Sequence, residues 1–578
     1  MFASLTRALA VALAVAVLPT VVSPTAAEAA SSGTRTSASG KSVTLNGSPA
    51  TVTVPKAPPS GISGAEATTI ASRLPLVRRE ERTHPGAFSQ VSSPVSGQWQ
   101  VAFYSRNQEF VQVLVSSADG SVLGQYTGFQ VAWTMARGYP GAFGRHLDAL
   151  YIWLPLCLLF LAPFFDWRRP ARMLDLDLLV LTSFSISLAF FNHADIYQSV
   201  PLTYPPLVYL MVRLLWLARA GAPRRPPLRL NVGVGWLALG LVALIVFRVG
   251  LNVYDSNVID VGYANVVGAD KVLHGKALYG QFPADISRGD TYGPVAYEAY
   301  APFVALWGFS GQWDSVPAAH AAAIFFDLVV IALLFLLGRR IRGPATGIVL
   351  AYAWAAFPFT AFALEANSND ALVAALVLAS VLVAGSPPAR GAFAALAGLA
   401  KFAPLALVPL LATHRLRERG PRGLVAFIVA FVIVAALVSI PALTHNTLST
   451  IYDRTVGYQA NRSAPFSLWG LYGGLHAEQT AVQLFALVLA AVLAVLPRRP
   501  DLIGLCACAA AILIAVQLGV GYWFYLYIPW FFAPAIVAVL GGPRLERRPR
   551  SRSNLRAGYG PRHGAYGASL PSVLSGGD

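Results

Sequence analysis

Eleven stretches of this chain come close to the ~20 apolar residues that an α-helix needs to cross a bilayer core. They are 148–166, 174–192, 200–219, 231–252, 317–338, 345–365, 370–386, 422–443, 480–497, 502–520 and 523–541. Backbone amides in hydrocarbon must find partners within their own segment, so stretches of this kind can only be helices. With 56% hydrophobic and 12% charged residues among 578, an ordinary soluble protein is excluded. The class is all-α and polytopic, a multi-pass protein of the cell membrane. The net charge of +16 sits in short Arg runs between apolar stretches and in the tail. That placement orients helices; it does not trace a nucleic-acid footprint. Cys157, Cys506 and Cys508 lie inside apolar runs, which suggests neither a disulfide framework nor a zinc site.

Residues 1–30 have the order of a secretory signal: Arg7, an apolar run from Ala8 to Val22, then small residues ending Ala27-Glu28-Ala29. A retained anchor is the competing reading, and under either one the next residues begin outside the cytoplasm. Ser, Thr, Gly and Pro dominate 31–61, which suits a flexible leader. Residues 62–130 then read as a small α+β module. Ala65 to Leu74 predicts a short helix, and the alternating runs Gln98 to Tyr104 and Phe110 to Val115 predict an antiparallel meander turning at Arg106-Asn107 and Asp119-Gly120. This pattern resembles the PepSY-like modules found outside bacterial membranes, a resemblance that implies binding or regulation and no catalysis. At the other end, 542–578 is Arg, Gly, Ser and Pro-rich. It is expected to be a disordered basic tail whose cluster Arg544 to Arg556 lies against anionic cytoplasmic lipid.

Starting outside, the positive-inside rule puts Arg168-Arg169, Arg224-Arg225, Arg339-Arg340, Arg498-Arg499 and the tail in the cytoplasm. Residues 390–412 have positive flanks on both sides. A re-entrant pair of short helices broken near Lys401 to Pro404 keeps both flanks inside; an extra span, compensated by 296–310, is the alternative. In the favoured register the polar loops 253–316, 366–369 and 444–479 share one outer surface.

Carboxylates are scarce in this chain, so their concentration in one loop is informative. Asp255, Asp260, Asp270, Asp285, Asp290 and Glu298 are candidates to take a proton from a hydroxyl, although most carboxylates in a loop simply solvate it. Asp255 and Asp260 follow the 231–252 span within a few residues and so sit at headgroup level. Within the 317–338 span, His320 and Asp327 lie seven residues apart on about one helical face. They are expected either to pair structurally or to line a site or proton relay.

The segment from Asp260 to Tyr279, with its Leu273-His274-Gly275-Lys276-Ala277-Leu278-Tyr279 ending, resembles the first outer-loop signature of the family 87 glycosyltransferases. These are C-type membrane enzymes that include polyprenyl-phosphate-mannose-dependent mannosyltransferases and related arabinofuranosyltransferases. Tyr292-Gly293-Pro294-Val295 is similar to the family's Tyr-Pro-Pro-Leu segment, and Gly398-Leu399-Ala400-Lys401-Phe402-Ala403-Pro404 to its Gly-hydrophobic-x-Lys-x-x-Pro element. Tyr458-Gln459-Ala460-Asn461-Arg462-Ser463 looks like its outer-loop Asn-x-Ser. Two departures stand out: Gly293 replaces the first proline, and Asn367-Ser368-Asn369-Asp370 occupies the place of a Gly-Gln turn.

The resemblance implies a C-type fold of about 11 spans plus a re-entrant segment across 146–541. It implies an inverting enzyme that moves mannose, or secondly arabinofuranose, from a polyprenyl-phosphate donor to an extracytoplasmic glycan or glycolipid. Asp260 would be the general base, with Asp255 the runner-up. Lys401 and Arg462 would hold the donor phosphate, and Tyr263, His274, Tyr279, Tyr292 and Asn461 would line the pocket. No cofactor and no metal are expected, since a lipid-borne sugar needs no nucleotide and the loop carboxylates show no tight Asp-x-Asp spacing. A transporter or lipid flippase with an outer regulatory module is the alternative class; it calls for polar groups at the midplane and internal repeats.

Overall fold

The computed structural model describes residues 61–543 and Leu545, with breaks at 94–96, 107, 138–143, 167, 169–171, 220–226, 314–315, 463 and 497–498, and a pair of short strands, Val43–Leu45 and Ser48–Ala50. The expected signal segment, most of the leader and nearly all of the basic tail lie outside the described residues.

The first described unit is a small α+β module. Ser63 opens the helix Gly64–Arg73 with a reciprocal cap: its hydroxyl accepts from the Glu66 amide and its own amide donates to the Glu66 carboxylate at 2.7 Å. Helix Pro75–Thr83 follows, then four antiparallel strands, Phe88–Ser92, Gln98–Ser105, Gln108–Ser116 and Val122–Thr127, paired in chain order. Trp99, Val101, Phe103, Val111, Val113 and Val115 turn inward at alternate positions onto Ala67, Ala71 and Val77. The sheet includes both expected runs. The second helix and the two outer strands lack their clear alternation and were not anticipated.

Beyond the module the chain is helical. Among the described residues, seven helices are long and apolar enough to cross a membrane: Met173–Asn192, Ile196–Ala218, Val234–Asp255, Pro317–Arg342, Glu418–Leu443, His476–Val495 and Leu502–Gly519. An eighth candidate is bent by 59° where Phe357 and Pro358 separate Pro344–Ala356 from Pro358–Glu365. The expected spans at 148–166, 370–386 and 523–541 appear as Leu150–Leu161, Asp370–Leu382 and Tyr525–Leu540. At 1.5 Å per residue these are shorter than the ~30 Å hydrocarbon layer. Leu502–Gly519 is almost wholly enclosed by its neighbours. By contrast, Val234–Asp255, Glu418–Leu443 and His476–Val495 present Trp236, Val246, Val432, Leu437 and Val488 outward. Apolar on both sides is what a bundle in lipid requires.

Residues 387–413 form a hairpin. Helix Pro387–Ala400 ends at Lys401, and the chain returns through the turn Ala403–Leu407 and helix Val408–Thr413. A guanidinium nitrogen of Arg390 donates to the His414 carbonyl at 3.2 Å, so the two ends of the hairpin meet. Around that end of the bundle, Arg342 donates to the carbonyls of Gly541 and Gly542, Arg419 to that of Gly385, and the Arg499 amide to that of Ala218. The tip carrying Lys401 reaches the opposite end.

Two ion pairs are buried among the spans, Arg213 with Asp177 at 3.0 Å and Arg248 with Asp327 at 2.5 Å. Trp354 Nε1 donates to Asp327 at 2.8 Å and Arg248 reaches the Thr360 hydroxyl. Asp327 is therefore committed to Arg248, while His320 bonds the Ser256 hydroxyl and the Asn252 side chain. The two do not pair with each other.

Candidate active site

Ile259 ends an extended stretch whose amides bond the other side of the bundle, Asn257 to the Glu365 carbonyl and Ile259 to that of Ala366. Asp260 is then the first residue of helix Asp260–Leu273, and its carboxylate accepts from the amide of Val261 at 2.9 Å. A carboxylate in the first turn complements the helix dipole. Close approach is what seats this helix: a Cβ on Gly262 would overlap the Asn367 carbonyl oxygen. Thus the Asn367 to Asp370 turn, one of the departures from the family pattern, is the surface on which the Asp260 helix rests.

Asp260 opens into a small cleft of about 70 Å³, lined also by Ala264, Ile286, Arg288, Gly289, Thr291, Tyr292, Tyr458 and Arg462. The guanidinium of Arg462 stacks on Tyr522 at 3.8 Å and lies 5.9 Å from Tyr458, whose ring also faces Arg288 at 5.5 Å. Arg462 Nε is buried without a hydrogen-bond partner. Ring faces, and no ion-paired carboxylate among the described residues, hold this cation. A single π-helical turn, Asp453–Gly457, precedes the Tyr458–Asn461 helix from which Arg462 follows.

Behind Tyr292 lies Lys401. Its ammonium is 2.5 Å from Asp370 Oδ1, which also accepts from Trp530 Nε1 at 2.8 Å, and it faces the rings of Trp530, Tyr527 and Tyr292 at 4.9, 5.6 and 5.7 Å. The hairpin tip reaches this position because Gly293 presents no side chain: a Cβ there would overlap the Leu399 carbonyl oxygen. The second departure from the family pattern is thereby accounted for by packing.

Desolvation by the surrounding protein pushes the Asp260 carboxyl above its usual value, an effect opposed by the charges of Arg462 and Lys401. Its neighbours in the loop are engaged elsewhere. Asp255 is held by His146 and by Arg145 at 3.6 Å. Asp270 accepts His274 and Lys276, and Asp285 accepts the Tyr263 hydroxyl at 2.9 Å. Asp290 accepts the Gly280 amide at 2.6 Å with Arg454 at 3.6 Å. Glu298 sits in the loop's interior, where burial pushes it up to about 7. Among the described residues lining the cleft, Asp260 is the carboxylate.

Asp260, Tyr292 and Arg462 meet at the cleft, and Lys401 lies directly behind it. Tyr263 is stacked on Trp313 at 4.6 Å, away from the cleft. His274 caps the far end of the Asp260 helix, about 21 Å along its axis, and bonds the Asp270 carbonyl. Tyr279 is buried and donates to the Tyr292 carbonyl. Asn461 turns back to the Gly457 carbonyl at 2.9 Å. Arg288 and Tyr522 are absent from the expected site, and Tyr458 entered only as the first residue of the Arg462 element, without a role. No motif joins them to Asp260, although aromatic residues flanking a loop arginine were a visible hint.

No protein-family model matches the chain, and no curated protein matches it. Among solved structures it is similar to ArnT from Cupriavidus metallidurans bound to undecaprenyl phosphate, with 17% identity and a TM-score of 0.35 over 54% of this chain. The match spans 60% of that protein's chain.

Proposed function

We propose that this chain is an inverting membrane glycosyltransferase of the C type, transferring mannose, or secondly arabinofuranose, from a polyprenyl phosphate to an envelope glycan or glycolipid. The observation that carries the reading is the pairing of one carboxylate, Asp260, with two ring-held guanidinium groups, Arg462 and Arg288, around one cleft at the end of an apolar bundle. The Arg-rich ends gather at the opposite end, so the positive-inside rule supports an extracytoplasmic cleft.

Asp260 takes the proton of the acceptor hydroxyl as its oxygen bonds to the anomeric carbon. The bond from that carbon to the phosphate oxygen breaks with inversion, and the phosphate leaves with the electron pair. Arg462, free of any carboxylate partner, meets the charge that develops there. Lys401 adds its field from behind Tyr292 while its own charge is balanced by Asp370. No cofactor takes part.

The test is transfer in membranes from radiolabelled polyprenyl-phosphate mannose and polyprenyl-phosphate arabinose, wild type against Asp260→Asn. Product from one donor that disappears in the variant supports the reading. Turnover of neither donor by the wild type overturns it.

A further inference from the structure

The module does not simply hang from the membrane domain. After its last strand, Val122–Thr127, the chain makes one helical turn, Phe129–Ala132, then Trp133 and the turn Thr134–Arg137. Arg137 fastens this strap to the sheet: its guanidinium lies over the Tyr126 ring at 4.2 Å, donates to the Gln112 side chain at 2.6 Å, and donates to the Gln130 carbonyl at 2.9 Å. The other face of the strap touches the membrane domain. Trp133 meets Phe466 edge-on at 5.6 Å and Tyr522 at 6.1 Å, and the Tyr522 hydroxyl lies 3.8 Å from Met135 Sδ. Tyr522 is the ring on which Arg462 stacks. Phe466 braces the same ring edge-on from the side, at 5.7 Å.

We infer that the 129–137 strap is a positioning device through which the α+β module sets Arg462 over the cleft, with Trp133 as its key residue. Arg462 has no ion-paired carboxylate among the described residues. A guanidinium pinned by a carboxylate would keep its place if a distant ring moved. One held by stacking on Tyr522, with Nε unbonded, goes where Tyr522 goes. Tyr522 in turn is walled by Phe466, a residue of the membrane domain, and by Trp133 and Met135, which belong to the strap. Removing Trp133 takes away the wall that the module supplies and leaves Asp260 and the cleft residues themselves untouched.

The consequence for transfer rests on the function proposed above, but the positioning can be read without substrate. In full-length protein in detergent, wild type, Trp133→Ala and Trp133→Phe are treated with an arginine-specific dicarbonyl, and modification at Arg462 is followed by peptide mass spectrometry. Trp133→Ala is expected to raise the rate of Arg462 modification about 5-fold, the scale of a lost cation–ring contact, with Trp133→Phe close to wild type and Arg499 unchanged as an internal control. In the transfer assay the same variant should lower kcat, because Arg462 meets the charge that develops as the phosphate leaves, and Trp133→Phe should restore it. An unchanged Arg462 rate in Trp133→Ala overturns the inference. A raised rate in a protein that transfers no sugar leaves the strap standing and removes the glycosyltransferase reading instead.

Discussion

The ammonium of Lys401 lies 2.5 Å from Asp370 Oδ1, joining the tip of the 387–413 hairpin to the first residue of helix Asp370–Leu382. Both groups are nearly sealed from solvent, and Asp370 Oδ2 has no hydrogen-bond partner. The pair is therefore finely balanced. Removing one partner strands the other charge in a low dielectric, whereas replacing both by apolar groups removes the desolvation cost as well. Lys401→Met is expected to destabilise the protein by about 3–5 kcal/mol, and the double variant Lys401→Met with Asp370→Leu to recover most of that loss. Denaturation midpoints of the two single variants and the double variant in detergent measure the coupling; additive losses would show that the two residues do not act as a pair.

Gly293 carries a different kind of constraint. Its Cα faces the Leu399 carbonyl so closely that any side chain forces the hairpin tip away from the loop. Gly293→Ala should cost about 1–3 kcal/mol of stability, as overpacked sites do. Because the tip bears Lys401, it should also displace that charge from behind Tyr292. Glycine at this position in an otherwise buried Tyr292-Gly293-Pro294 turn is then a packing requirement. A Gly293→Ala protein with wild-type thermal stability would refute this.

How much of this was readable beforehand depends on the range of the interaction. The long apolar helices were legible because each is specified by its own 20 or so residues. The hairpin was legible too, because its two positive flanks cannot both be inside if it crosses once. What failed was local breakage. Phe357-Pro358 bends one span, and the helices containing Pro155 and Pro534 come out short. In the site, Asp260, Tyr292 and Arg462 line one cleft and Lys401 lies behind Tyr292. Their partners did not announce themselves. Asp370, Trp530, Tyr522 and Arg288 are brought in by close contacts across 31 to 170 positions, and periodicity carries no information at that range. Arg248 with Asp327 is the same case: each looks like a costly charge in a span until the other is seen.

Asp255 and Asp260 are five residues apart, the runner-up and the expected base, and their surroundings differ. Asp255 is spent on Arg145 and His146, in the segment that leads into helix Leu150–Leu161, whereas Asp260 opens into the cleft beside Arg462. Asp260→Asn is expected to lower the transfer rate by about 10²–10⁴-fold, the usual contribution of a positioned base. Asp255→Asn should leave the rate within about 3-fold and cost no more than ~1 kcal/mol of stability, since its partners are largely exposed. Transfer rates of the two variants measured side by side decide between them. The reverse ranking would move the base to Asp255.

The same carboxylate sets a pH dependence whose sign can be worked out. Desolvation raises Asp260 above the ordinary aspartate value of 3.8, and Arg462 and Lys401 pull it back in part. As a base it works only when ionised. The rate should therefore rise with pH through a midpoint above 3.8, and Arg462→Gln, by removing an opposing charge, should shift that midpoint further upward. Stability runs the other way. A carboxyl whose folded value is raised binds its proton more tightly in the folded state, so the folded state loses stability as pH climbs from the unfolded value through the folded one. Above that window ionised Asp260 contributes no stability, and because its side chain is open to the cleft it subtracts little. Asp260→Asn should consequently melt at the same temperature as wild type or higher at neutral pH while losing its activity, the signature of a group held in place for chemistry. A matched pair of pH–rate and pH–melting profiles, wild type and Asp260→Asn, tests both signs at once. A variant that melts lower at neutral pH would mean that the ionised carboxylate stabilises the fold, through pairing with Arg462, and that its role is structural.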